Sequence, residues 1–170
     1  ADLPAIHAVC FDSRAVQPGD LFVCVPGERA DGHRFAATAV EAGAVVLVAQ
    51  RCMGEGLEAL GVPVVRVADA RRALSSIAAA HEGYPARRLT VIGVTGTDGK
   101  TTTTNLIHQI LLAANIKAGM ISTVNAVIGD EVLDTGFHVT TPDAHDVQRY
   151  LAKMVESGLT HVVLETTSHG

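Results

Sequence analysis

Gly93-Val94-Thr95-Gly96-Thr97-Asp98-Gly99-Lys100-Thr101-Thr102 is the stretch on which the reading of this 170-residue chain turns. It follows an apolar run, Leu89 to Val94, that reads as a strand, and it opens a helical pattern from about Lys100 to Ala114. A glycine-rich turn from strand to helix is the setting of a phosphate-binding loop. Glycines let the backbone fold tightly enough for successive N–H groups to face phosphate oxygens, and the helix N-terminus adds its partial positive charge. Lys100 brings a full charge toward β- and γ-phosphates, and the Thr101 hydroxyl is placed to ligate Mg²⁺. The candidate nucleotide contacts are therefore Gly96, Thr97, Asp98, Gly99, Lys100, Thr101 and Thr102. The usual spacing would put a further glycine where this chain has Val94, and Gly93 and Gly96 flank that position instead. A glycine-rich turn carrying a solvated lysine is the plainer alternative. Against it stand four consecutive threonines, Thr101 to Thr104, since β-branched residues are poor helix formers.

Downstream, the pattern predicts a strand at Ala118 to Ser122 and a hairpin over Asn125 to Phe137 with Gly129-Asp130 near its turn. A helix then starts at Pro142 and runs to about Ser157. The strand His161 to Leu164 ends in Glu165, a carboxylate at the carboxyl edge of a strand, where open α/β sheets place their ligands. Glu165 resembles a Walker B acid suited to a second magnesium contact; an ordinary surface glutamate is the alternative. The tail Thr166-Thr167-Ser168-His169-Gly170, dense in hydroxyls and imidazole, favours the functional reading. Upstream, strands are expected at Ile6 to Phe11, Leu21 to Val25, Ala44 to Ala49 and Val64 to Val67. Helices are expected at Gly32 to Ala42 and Asp69 to Glu82, with Asp69 as N-cap of the second.

Gly83-Tyr84-Pro85-Ala86-Arg87-Arg88 carries a helix-stopping Gly, a Pro and adjacent charges, so a domain boundary is placed there, dividing residues 1–88 from 89–170. The fold class is α/β: a small N-terminal α/β domain, then the first part of a P-loop-type, mostly parallel-sheet domain. Only three parallel-type strands follow the boundary, fewer than a nucleotide-binding sheet usually needs, so the chain is expected to be the front part of a longer enzyme. The composition agrees. Hydrophobic residues make up 48% and aromatics 4%, with no Trp, so the core must come from Val, Ala, Leu and Ile, as in strands covered on both faces. Disordered and collagen-like classes are excluded.

A net charge of -5 and the absence of any basic run longer than two residues offer no nucleic-acid or membrane surface. Cys10, Cys24 and Cys52 are an odd count, and two lie in apolar runs, which points to buried thiols in a reducing, cytoplasmic compartment. No apolar stretch approaches a membrane span, so a soluble protein is expected. The remaining histidines form no zinc-type cluster, and a catalytic zinc is not expected.

Three blocks together resemble the Mur ligase family, the ATP-dependent enzymes that add amino acids to UDP-N-acetylmuramic acid during peptidoglycan assembly. The first is Asp12-Ser13-Arg14 with Gly19-Asp20-Leu21-Phe22-Val23 and Asp31-Gly32-His33-Arg34-Phe35; the second is the lysine loop. The third is Thr140-Thr141-Pro142-Asp143 with Glu165-Thr166-Thr167-Ser168-His169-Gly170. The likeness is nearest to the members that add the third peptide residue, meso-diaminopimelate or lysine, to UDP-MurNAc-L-Ala-D-Glu.

The resemblance implies ATP and Mg²⁺ as cofactors and a bacterial, cytoplasmic, monomeric enzyme. It makes Ser13 a contact to the UDP end of the substrate, with Glu28, Arg29 and Ala30 a weaker set. Thr140, Thr141 and Thr167 would hold the muramyl-peptide portion, although Thr141 before Pro142 also suits a helix cap. Glu165 and His169 would hold a second magnesium, and Lys100 and Glu165 would serve the chemistry. The implied mechanism has two steps: the substrate's glutamate carboxylate attacks the γ-phosphate of ATP to give an acyl phosphate, and an incoming amine displaces phosphate. Parts of the family pattern expected beyond Gly170 include a carbamylated lysine, adenine contacts and an amino-acid-binding domain, so this chain is expected to show little ligase activity alone. A UDP-sugar-binding module without catalysis, a sibling family member and a folylpolyglutamate synthase-like ligase remain as alternatives.

Overall fold

A computed structural model describes residues 4–27, 30–52, 54, 56–134 and 143–166. The chain divides into two compact units, Ala1–His81 and Glu82–Gly170. The division falls ahead of the Gly83–Arg88 segment rather than behind it. Pro85 is buried, and the 3-10 turn Pro85–Arg88 packs on a helix of the second unit. Within that turn the Arg87 guanidinium lies 4.2 Å from the centre of the Tyr84 ring.

The first unit is a four-stranded parallel sheet in the order β1-β2-β3-β4, formed by Val9–Cys10, Leu21–Val23, Val46–Gln50 and Val64–Val67. Alternate residues of β2 and β3 leave opposite faces, so the sheet has a core on each side. Phe22 and Leu47 pack with Ala36 and Ala39 of α1 (Ala36–Glu41), whereas Leu21, Val23, Val46 and Val48 pack with Ala70 and Leu74 of α2 (Ala70–His81). The small alanines let both helices approach closely. Asp69 caps α2 as expected, its Oδ1 accepting from Arg72 N at 3.0 Å. The helix expected from Gly32 begins instead as a 3-10 turn, Gly32–Phe35, because Asp31 draws the first turn tight: its side chain accepts from His33 N and its carbonyl from Arg34 N.

The second unit holds a five-stranded sheet in the order β5-β9-β6-β7-β8. Strands β5 (Thr90–Val94), β9 (His161–Glu165) and β6 (Ala118–Ile121) run parallel, and β7 (Asn125–Ile128) and β8 (Glu131–Asp134) extend the sheet as an antiparallel hairpin. Gly129 takes the left-handed turn position at φ 60°, as the Gly129-Asp130 reading requires. Helix α3 (Lys100–Ala113) lies on β9 and β6. Helix α4 (Ala144–Glu156) covers the other face through Val147, Leu151 and Met154, against Ile121, Ala126, Ile128 and Val162. Asp143 is the N-cap of α4. Thr141 and Pro142, offered as cap and first-turn proline, lie outside the described residues, as does the hairpin beyond Asp134.

Candidate functional site

In the second unit the chain leaves β5 at Val94, turns, and enters α3 at Lys100. Gly99 occupies the N-cap position in the left-handed region at φ 73°, and Gly96 has φ 151°, conformations that side-chain-bearing residues rarely adopt. Thr97, Asp98 and Gly99 are exposed at the mouth of the turn, and Thr102 is exposed on the first turn of α3. The Lys100 ammonium folds back over the loop, donating to Gly96 O at 2.9 Å and Thr97 O at 3.4 Å. The proposed nucleotide contacts Gly96 to Thr102 therefore form one continuous surface at the start of a helix.

Glu165 ends β9 and is 2% exposed. Its carboxylate accepts from Thr101 Oγ1 at 3.1 Å (Oε1) and 3.0 Å (Oε2), from Thr123 Oγ1 at 2.7 Å and from Thr123 N at 3.2 Å. A buried carboxylate needs such donors, because an unpaired charge out of water is costly. The surface-glutamate alternative does not describe this arrangement. Of the threonine run, Thr101 reaches Glu165, Thr102 and Thr103 face solvent, and Thr104 is fully buried against the sheet with Oγ1 unbonded.

Thr123 escaped the sequence reading. It lies just past the strand expected at Ala118 to Ser122, on the same carboxyl edge that singled out Glu165, so the edge rule applied to every parallel strand would have found it. A local network aims it: Ser122 Oγ accepts from Val124 N and Asn125 N, both at 3.2 Å, and lies 3.0 Å from Asn125 Oδ1, to which it donates.

In the first unit, Ser13 and Ala30 sit on segments that follow the neighbouring parallel strands β1 and β2, again at a carboxyl edge. Asp12 organises the turn around half-buried Ser13, accepting from Arg14 N at 3.0 Å, Arg14 Nε at 2.9 Å and Arg14 Nη2 at 2.7 Å. Those hydrogen bonds from Arg14 hold the Asp12 carboxyl below its usual pKa. Ala30 is exposed, and Pro26 and Asp31 pair across the turn that carries it. Glu28, Arg29, Thr140, Thr141, Thr167 and His169 lie outside the described residues. Among the described residues no group of three or more His, Cys, Asp or Glu side chains is placed to hold a metal. Two threonine hydroxyls beside one carboxylate make a hard-oxygen set that suits Mg²⁺.

Two family models divide the chain between them. "Mur ligase family, catalytic domain" matches residues 5–82, and "Mur ligase middle domain" matches 94–170. A UDP-N-acetylmuramoyl-L-alanyl-D-glutamate–2,6-diaminopimelate ligase of Geobacillus thermodenitrificans is 47% identical over 98% of this chain and 32% of its own length. A UDP-N-acetylmuramyl-tripeptide synthetase of Roseiflexus sp. is 43% identical over the same shares. Among solved structures, a UDP-N-acetylmuramoyl-L-alanyl-D-glutamate–2,6-diaminopimelate ligase superposes with a TM-score of 0.77 at 25% identity, over 97% of this chain and 32% of that one. MurF ligase from Thermotoga maritima, in complex with ADP, gives 0.61 at 25% identity over 100% of this chain and 34% of that one.

The fold and the loop thus define a nucleotide-type α/β protein with a second parallel α/β unit ahead of it. The chain belongs to the Mur ligase family. It spans about a third of the length of the curated relatives it matches.

Proposed function

We propose that these 170 residues form the UDP-sugar-binding domain and the first part of the ATP-binding domain of a bacterial, cytoplasmic ligase. The ligase adds a third peptide residue, diaminopimelate or lysine, to UDP-MurNAc-L-Ala-D-Glu. The observation that carries the reading is the buried Glu165 carboxylate held by Thr101 at the mouth of the glycine loop. The names of the relatives support the substrate class.

In this reading the N–H groups of the loop at Gly96 to Thr102 and the start of α3 cradle the phosphates of ATP, and Lys100 leaves its loop carbonyls to meet them. Thr101 and Glu165, with Thr123 beside them, would hold Mg²⁺, which offsets charge on the phosphoryl group during transfer. His169 adds a further ligand, and Thr140, Thr141 and Thr167 orient the muramyl-peptide. The glutamate carboxylate of the substrate would attack the γ-phosphate of ATP with ADP as the leaving group, and the incoming amine would then displace inorganic phosphate from the acyl phosphate and lose a proton to form the amide. No protein nucleophile is required, so the chain contributes positioning and electrostatics. In the first unit, Ser13 and the Ala30 turn, including Glu28 and Arg29, take the UDP end.

Calorimetric titration of the chain with UDP-MurNAc-L-Ala-D-Glu, UDP and Mg-ATP tests the reading. Binding of the UDP-sugar peptide that exceeds binding of UDP supports it. Failure of that ligand to bind both the folded chain and a chain extended to the length of the relatives would overturn it.

A further inference from the structure

Ser122 is 1% exposed and stands between the last residue of β6 and the residue that grips Glu165. Its hydroxyl organises the turn that follows. Oγ accepts from Val124 N and Asn125 N, both at 3.2 Å, and donates to Asn125 Oδ1 at 3.0 Å. Ser122 N donates to Asn125 O at 2.8 Å and closes the turn. A serine that takes the N–H groups two and three residues ahead of it fixes the peptide planes on the far side of the intervening residue. That residue is Thr123.

Thr123 grips the Glu165 carboxylate at two points, through Oγ1 to Oε1 at 2.7 Å and through N to Oε2 at 3.2 Å. One donor would let the carboxylate turn about its last bond; two donors on different oxygens set its plane. From the other side Thr101 Oγ1 donates across the pair, 3.1 Å from Oε1 and 3.0 Å from Oε2. A hydroxyl that gives its proton to Glu165 keeps its lone pairs for a cation. The plane of Glu165 therefore decides how the Thr101 oxygen presents those lone pairs at the first turn of α3. Thr123 can set that plane only if its own N–H and side chain are held. The β6–β7 ladder ends at Ile121 opposite Ala126, so the turn beyond it draws on the bonds of Ser122 for its shape.

We infer that Ser122 is a positioning residue of the magnesium site: it holds Thr123, Thr123 sets the plane of Glu165, and Glu165 aims Thr101. This rests on the reading of Thr101 and Glu165 as the residues that hold Mg²⁺. Residues that orient a metal's ligands without touching the metal typically govern about 10–100-fold in affinity or activity. A serine that only closed a hairpin would govern stability alone.

Ser122→Ala removes the hydroxyl and leaves the backbone bond from residue 122 to Asn125 O. It lowers stability as well, because two amides lose their acceptor. Gly119→Ala therefore serves as the reference: it disturbs the same strand, but its new methyl is directed at Met154 and Val127 O. In an enzyme of the relatives' full length, under conditions where both variants are folded, the Mg²⁺ concentration for half-maximal ATP turnover should rise about tenfold in Ser122→Ala and stay within about twofold of the parent in Gly119→Ala. The KM for UDP-MurNAc-L-Ala-D-Glu should not move. Ser122→Thr, which keeps the hydroxyl, should recover most of the Mg²⁺ response. Amide hydrogen exchange in the 170-residue chain reads the same link without metal or turnover. Relative to the β9 amides of the same variant, the Thr123 amide should exchange about tenfold faster in Ser122→Ala than in Gly119→Ala.

A parent-like Mg²⁺ response in Ser122→Ala, with Thr123 exchange like that of Gly119→Ala, would overturn the positioning role. An equal shift of the Mg²⁺ response in the two variants would overturn it too, since instability alone would then account for the change. Glu165→Gln separates this from the underlying reading. If that enzyme keeps the parent's Mg²⁺ response, the assignment of Mg²⁺ to Glu165 falls and the positioning of a magnesium site falls with it, while the exchange data still decide whether Ser122 holds Thr123.

Discussion

Thr123 Oγ1 donates to Glu165 Oε1 at 2.7 Å, joining the residue just past β6 to the last residue of β9. The two strands are parallel neighbours, with Ile121 opposite Leu164, so the register alone brings the loop after β6 to the buried carboxylate. Thr123→Val removes this donor at nearly constant shape and leaves Glu165 with Thr101 Oγ1 and Thr123 N. The expected cost is about 1–3 kcal/mol, as for a hydrogen bond to a charged group, and Thr123→Ser should recover most of it. Urea unfolding of the three proteins checks this; equal midpoints for valine and threonine would mean that the contact contributes nothing.

Lys100 separates chemistry from stability. Its ammonium touches the loop carbonyls of Gly96 and Thr97 at the surface, so Lys100→Ala should change folding stability by less than about 0.5 kcal/mol. In an enzyme of the relatives' full length the same change should lower ATP-dependent turnover by roughly a hundredfold or more, the scale for losing one preorganised charge donor. Near-normal turnover would sink the assignment of Lys100 to the phosphates.

Legibility in the sequence followed the distance over which each signal acts. The Gly99-Lys100-Thr101 turn, the Asp69 cap and the Gly129 hairpin are local, and each was readable from neighbours within a few residues. Glu165 was found by its place at a strand end, but its partnership with Thr123 spans 42 residues and depends on β9 inserting between β5 and β6. Nothing in a linear pattern announces that insertion. His33 stands within a family-like block that shows no role for it, because its partners Asp31 and Gln50 meet only when the 3-10 turn is laid against the end of β3. The boundary shift has a similar cause: Pro85 looks like linker punctuation until it is seen buried at the edge of the second unit.

The three cysteines should react in a fixed order. Cys24 is fully buried, and burial, reinforced by the Asp31 charge, pushes its thiol up to about 12. Burial also raises Cys10, whose Sγ donates to Asp12 O at 3.1 Å. Cys52 is exposed. Because the thiolate is the nucleophile, alkylation of the native chain at neutral pH should modify Cys52 first, Cys10 slowly and Cys24 only on unfolding. Peptide mapping after timed iodoacetamide treatment decides it, and early modification of Cys24 would contradict its burial in the core just past β2.

Gly119 and Met154 should be energetically coupled. A Cβ at Gly119 would meet Met154 Sδ at 2.7 Å, Met154 Cε at 2.8 Å and Val127 O at 3.0 Å. Gly119→Ala therefore overfills the space between β6 and α4, and about 1–3 kcal/mol of destabilisation is expected. Met154→Ala empties a fully buried site, at about 2–5 kcal/mol. In the double variant the new methyl enters the vacated volume, so the combined loss should fall short of the two separate losses added together. Strict additivity in denaturant unfolding would show that the two residues do not share this space.

Acid should weaken the first unit partly through Asp31. Partial burial raises the pKa of its carboxyl, but the hydrogen bonds from the His33 ring and backbone N–H lower it further, and the net position is below the ordinary value of 3.8. A carboxylate whose pKa is depressed on folding contributes stability that is fully present above its unfolded pKa and is lost as pH falls through the lower folded value. The parent chain should accordingly lose stability as pH is taken from about 5 toward 3, a range in which Asp12, held down by Arg14, contributes in the same direction. Asp31→Asn has no proton to gain, so its stability should fall less steeply over that range while the Asp12 part remains. Urea midpoints at matched ionic strength give both slopes, and identical slopes would mean that the Asp31–His33 bond is as strong in the protonated acid as in the carboxylate.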